Sequence, residues 1–226
     1  MTIASAQASI APATPPNPET ASEGWPFPIS LALYLKMAEL ELIRPEEHVV
    51  LLDGFLVQTM TKGHDHINAV DRGEDALKAV LPPGWLVRDE DPIVLAEGPE
   101  GASVPEPDLV VLYGTRERYD GRLPGATDVA LVVEVASSAA AFLADRKGLA
   151  RYAYAGIPAV WIITLHDRRA YVYTEPSGPA AAPGYARVEE KGHGDMLAAT
   201  LSSPACDQAP VVLGPVAVAS FFPPTA

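Results

Sequence analysis

Two short apolar runs, each carrying one carboxylate at its end, constrain this chain more than any other feature. Pro107-Asp108-Leu109-Val110-Val111-Leu112-Tyr113 has its acid near the start, and Asp128-Val129-Ala130-Leu131-Val132-Val133-Glu134-Val135 has one near the finish. Both are rich in Val and Leu, bounded by Pro, Gly and Asp, and too short for ordinary helices, so they read as buried strands. Antiparallel pairing through 114–127 matches Tyr113 with Ala130 and brings Asp108 level with Glu134 or Val135. Side chains directly opposite each other then lie about 5 Å apart, a gap that suits a hard cation about 2.1 Å from each oxygen. Neither strand supplies a cation of its own, so the spacing favours magnesium over a salt bridge.

The chain has 226 residues, of which 48% are hydrophobic, enough to bury a substantial single core. The expected organisation is an irregular tail over 1–28, rich in Ala, Pro, Ser and Thr, followed by one domain over 29–226. A single cysteine, Cys206, excludes an internal disulfide and a cysteine-based metal cluster within one chain. The first 28 residues hold no Lys or Arg and no apolar stretch of signal-peptide length, which predicts a cytoplasmic protein. The longest apolar runs are strand-sized, which predicts no membrane span. The net charge is −13, and no basic nucleic-acid stripe is present. Residues 61–107 hold ten acids against four bases, whereas 108–160 hold six of each, so the paired acids sit in the least acidic part. Affinity for phosphate would then lean on divalent cations.

Helical spacing of Leu31, Tyr34, Leu35 and Ala38 behind Ser30 predicts a helix over 31–42. Strands over 49–52 and 55–60 flank Asp53-Gly54, a strong hairpin signal. His66, Ala69, Val70, Gly73, Leu77 and Leu81 form one face of a second helix, stopped by Pro82-Pro83-Gly84. A strand over 85–95, interrupted near Pro92, leads into the Asp108 strand. Ser137 and Ser138 can cap a helix running through Tyr154 and stopping at Gly156. A last hairpin spans 160–164 and 170–174 across Asp167-Arg168. A Pro, Gly and Ala loop covers 176–183, the following stretch is less regular, and 211–222 is an apolar segment able to serve as a two-fold dimer surface. The result is an α/β fold whose middle strands are buried on both faces.

Asp53-Gly54, His66, Pro107-Asp108, the run Glu134-Val135-Ala136-Ser137-Ser138 and the run from Tyr152 through Gly156-Ile157-Pro158 to Trp161 together resemble the Uma2 restriction-endonuclease family. That resemblance covers roughly residues 30 to 222. It implies the PD-(D/E)XK nuclease superfamily, with a restriction-endonuclease-like mixed β-sheet flanked by helices. It further implies that Asp108 and Glu134 hold a magnesium ion, replaceable by manganese, with the Val135 carbonyl as a third ligand. A lysine, for which Lys147 is the candidate, would orient or activate the water that hydrolyses DNA, and a homodimer would cut both strands.

The chain departs from the family pattern, which places an Asp nine residues after the Glu, a Lys four further on and a Tyr four beyond that. Here those places hold Leu143 and, counting back from Tyr152, Gly148; Asp145 and Lys147 are out of step. The first strand also has Val50 where the family commonly carries Glu. A catalytically weakened or inactive member acting by binding therefore stays open, as does a hydrolase of another substrate using the same acids. Plainer readings also stand: Asp108 as a turn residue, Glu134 in a structural ion pair, Lys147 as an exposed helical lysine. His64 and His66, two apart, do not share a helical face, which argues against zinc; His66 fits the family histidine. Glu39 and Glu41 read as a solvated face, and Tyr152, Tyr154 and Trp161 as core.

Overall fold

The computed structural model describes residues 27–95, 97–98, 101–205 and 209–224. Most of the 1–28 tail, and Cys206, therefore lie outside the described residues. In chain order the elements are α1 (Leu31–Glu39), β1 (Val49–Leu52), β2 (Phe55–Gln58), α2 (His64–Val80), β3 (Trp85–Asp89), β4 (Leu109–Tyr113), β5 (Val129–Ala136), α3 (Ala139–Tyr154), β6 (Ala159–Thr164), β7 (Arg169–Pro176), β8 (Tyr185–Lys191), β9 (Met196–Leu201) and β10 (Val211–Ala217). Strands β3 to β8 form one six-stranded sheet in sequence order. Only β5 and β6 run parallel, joined across α3, and the other neighbours are antiparallel.

Every residue of β6, and nearly every residue of β4 and β5, is buried, because a layer covers each face of the sheet. Alternate side chains divide between the two layers. Leu109, Val111, Leu131, Val133, Trp161 and Ile163 pack with Leu77 of α2, Leu213 of β10 and Phe221. Val110, Leu112, Val132, Val160 and Ile162 pack with Leu149 and Tyr152 of α3. Each fully buried Leu or Ile contributes on the order of 1.5–3 kcal/mol, so the centre of the sheet is the stiffest place on which to mount a site.

Local chemistry sets the element ends. Ser30 caps α1 by accepting from the Leu33 amide, and Ser138 caps α3 by accepting from the Ala141 amide, each at 3.2 Å. Asp53 and Gly54 both have positive φ, 52° and 81°, as the two centre positions of a tight hairpin turn require. Gly101 sits against that turn: a Cβ there would stand 2.9 Å from the Asp53 carbonyl carbon and the Gly54 nitrogen. Gly156 stops α3 at φ 76°.

Several expectations need correction. Helix α1 ends at Glu39, and of its expected apolar face only Tyr34 is buried. The strand expected over 85–95 stops at Asp89, because Glu90 turns the chain with φ 50°. The stretch read as irregular after 183 contains β8 and β9. The 211–222 segment pairs with β9 and buries Leu213, Val216, Val218 and Phe221 inside the chain, so its apolar side is core and not a free dimer surface. No helix among the described residues is long and apolar enough to cross a membrane.

Candidate active site

Leu109 of β4 pairs with Val133 of β5, which sets Asp108, one residue earlier, level with Glu134. The slip to Leu112↔Val129 is a local irregularity after Val111, so the expected partner of Tyr113 shifts while the acids still meet. Each acid is tied to the other's strand. The Val135 amide donates to Asp108 Oδ2 at 2.7 Å, and the Asp108 amide donates to Glu134 Oε2 at 3.3 Å. In an extended strand the carbonyl of a residue faces the same edge as its N–H, so the Val135 carbonyl lies toward the Asp108 side.

Helices from both layers close on this end of the sheet. From the α2 layer, His66 Nε2 lies 3.0 Å and Lys62 Nζ 2.5 Å from Asp108 Oδ1. From the α3 layer, the Tyr152 hydroxyl donates to Glu134 Oε1 at 2.7 Å. Lys62 also reaches Glu90 Oε1 at 3.0 Å. The sequence reading found no cation on either strand; the structure brings one from a third segment, the loop before α2.

The electrostatics separate the two acids. Burial alone would push the Asp108 carboxyl up, but the hydrogen bond from His66 and the Lys62 charge outweigh it and hold Asp108 below its ordinary range. Glu134 is pushed well up, by burial first and then by the charges of Asp108 and Asp145. Asp145 is raised to about 7, again by burial first and then by Asp108. Lys62 is held above its ordinary value because Asp108 and Glu90 outweigh the opposing effect of burial. Burial and Glu134 raise the Tyr152 hydroxyl further, so it remains a donor. Asp108, Glu134 and Asp145 thus crowd one locus, and among the described residues Lys62 is the lysine that pairs there.

Such a locus fits a hard divalent cation. Asp108 and Glu134 present oxygen donors, and a cation would offset the burial and the neighbouring charges that raise Glu134. No cluster of three or more His, Cys, Asp or Glu side chains among the described residues forms a ready-made chelate. Magnesium tolerates this, because it is commonly held by one or two carboxylates and keeps several waters.

Helix geometry turns Lys147 away from the acids. Asp145 and Tyr152 lie seven residues apart and share the face of α3 turned toward the acids, whereas Lys147, two residues past Asp145, is rotated by about 200°. It is exposed. Gly148, four before Tyr152, and Leu149, three before it, flank that face, and neither supplies a cation. Sequence reasoning missed Lys62 altogether and read Tyr152 as simple core. His66 is buried against Asp108 rather than set near solvent, while His64 is exposed.

Known proteins agree with this architecture. The crystal structure of a putative nuclease of the domain family DUF820 from Anabaena variabilis superposes with a TM-score of 0.55 at 16% identity, covering 86% of this chain and 98% of that one. At that identity the likeness is one of fold. No match exists among curated proteins. The Uma2 family profile, described as "Putative restriction endonuclease", matches residues 31–209. A match over most of the chain, carried on a mixed sheet with paired carboxylates at the end of its central strands, settles the family: this chain belongs to Uma2.

Proposed function

We propose that this protein is a divalent-metal-dependent endonuclease that hydrolyses phosphodiester bonds in DNA. Asp108 and Glu134 hold magnesium, with manganese as a substitute, and the Val135 carbonyl is the third protein ligand. The observation that carries this reading is the cross-tied pair at the ends of β4 and β5, in which each carboxylate is fixed by the other strand's amide. When bound, the cation supplies Lewis acidity toward the phosphoryl group and activates water. The protein's own residues supply the rest. Tyr152 and the Asp108 amide orient Glu134, while His66 and the Val135 amide orient Asp108, so little reorganisation is needed when a substrate arrives. The net charge of −13 makes the chain a poor duplex binder by itself, which assigns part of the phosphate contact to the cation.

A second reading, a catalytically inactive relative that acts by binding, is favoured by one observation: Lys147, the lysine of α3, is exposed and turned away from the acids. The two readings separate when supercoiled plasmid is incubated with the protein and magnesium or manganese beside a Glu134→Ala control. The nuclease reading expects metal-dependent nicking that the control loses. Plasmid left intact by the unaltered protein, or nicked equally by the control, contradicts it.

A further inference from the structure

We infer that Lys62 is the cationic catalytic residue of this site, supplied from the loop before α2 and not from α3; the inference rests on the nuclease reading above. Among the described residues Lys62 is the only Lys or Arg paired with either strand-end acid, at 2.5 Å from Asp108 Oδ1. Its ammonium carries three N–H donors, of which Asp108 and Glu90 take two. The third is available to a phosphate oxygen or to the attacking water. The side chain is 30% exposed, so a ligand can reach it, whereas the Asp108 side chain beneath it is 7% exposed.

The surroundings leave that cation both anchored and accessible. Gly63, the next residue, adds no side chain of its own beside Lys62. Four residues on, His66 shares Asp108 Oδ1 with Lys62 and registers the start of α2 on the acid. On the opposite layer Lys147, the lysine of α3, is exposed, so that helix delivers no lysine to the acids. A point charge delivered from α2 can act there in place of one from α3.

In the reaction, water adds to phosphorus and the bond from phosphorus to one deoxyribose oxygen breaks. One proton of the water ends on the departing alkoxide, and the other is lost to solvent from the new phosphomonoester. Lys62 neither gains nor loses a proton; it donates hydrogen bonds to oxygens on which negative charge grows.

The full-length protein and its Lys62→Met, Lys62→Arg and Lys147→Met variants are compared by two readouts, plasmid nicking under magnesium and magnesium affinity by calorimetry. Lys62→Met is expected to nick at least about 100-fold more slowly while binding magnesium at least as tightly, because Asp108 loses a competing cation. Lys62→Arg should recover part of the rate, and Lys147→Met should keep all of it. Nicking by Lys62→Met within a few-fold of the unaltered protein overturns the inference and leaves the nuclease reading intact. So does weaker magnesium binding by Lys62→Met, which would mark Lys62 as a prop for Asp108. An unaltered protein that binds magnesium and cuts nothing overturns the nuclease reading and the inference together.

Discussion

The Tyr152 hydroxyl donates to Glu134 Oε1 at 2.7 Å, so a residue from the last turn of α3 fixes the acid near the end of β5. Tyr152 is buried and Glu134 is half-buried at the edge of the same layer, and Tyr152 supplies the side-chain donor to Glu134 Oε1. Tyr152→Phe keeps the ring packing and deletes that donor. It should cost about 1–3 kcal/mol in urea unfolding, the usual loss when a buried acceptor is left unpaired, and it should weaken magnesium binding. A stability change within about 0.5 kcal/mol, a surface-like effect, would show that Glu134 does not need this bond.

Placement of α2, and with it His66, depends on a glycine. A Cβ at Gly73 would stand 2.3 Å from Phe221 Cε1 and 3.1 Å from Leu109 Cδ1. Gly73→Ala gains about 1 kcal/mol of helix propensity, but overpacking a core typically costs 1–3 kcal/mol, and at this distance the clash wins. The variant should unfold at lower urea concentration, and adding Phe221→Leu should restore part of the loss. A Gly73→Ala protein more stable than its parent would contradict the packing described.

Asp128, just before β5, provides the clearest pH dependence. Its buried carboxylate accepts from Arg122 Nη1 at 2.8 Å and from the Gly125 amide at 2.9 Å. Burial acts to raise its pKa, but the Arg122 and Gly125 hydrogen bonds prevail and hold it below the ordinary 3.8. A group depressed in the folded state contributes stability above its unfolded pKa and loses it as pH falls through the folded value. Asp128→Asn should therefore destabilise the protein by about 1–3 kcal/mol at pH 7, with the gap to the parent closing below about pH 4. A gap that is constant from pH 7 to pH 3 would show that charge plays no part.

The fold and half of the site were legible in the sequence because their signals are local. Val- and Leu-rich runs mark β4 and β5, the Val160-Trp161-Ile162-Ile163 run marks β6, Asp53-Gly54 marks the hairpin, and the placement of acids on two neighbouring strands brings Asp108 to Glu134. Lys62 was hidden because its pairing with Asp108 spans 46 residues and its loop has neither apolar periodicity nor a motif. Lys147 drew attention by proximity along α3, where a shift of two residues is enough to reverse the face. Tyr152 resembled core because it is core; only the acid opposite it reveals the hydroxyl's role. Strand β8 was obscured by its charged residues, Arg187, Glu189, Glu190 and Lys191, at the sheet edge, where water and ion pairs replace apolar burial. Strand β9 does alternate between exposed and buried residues, but its small Ala and Thr side chains give little hydrophobic contrast.

Anomalous diffraction from crystals of the full-length protein soaked in manganese tests the central claim most directly. The account predicts one strong peak within coordination distance, about 2.0–2.4 Å, of carboxylate oxygens from both Asp108 and Glu134, absent in a Glu134→Ala crystal soaked in the same way. Manganese bound elsewhere with this pair left empty, or a peak that survives Glu134→Ala unchanged, would contradict it.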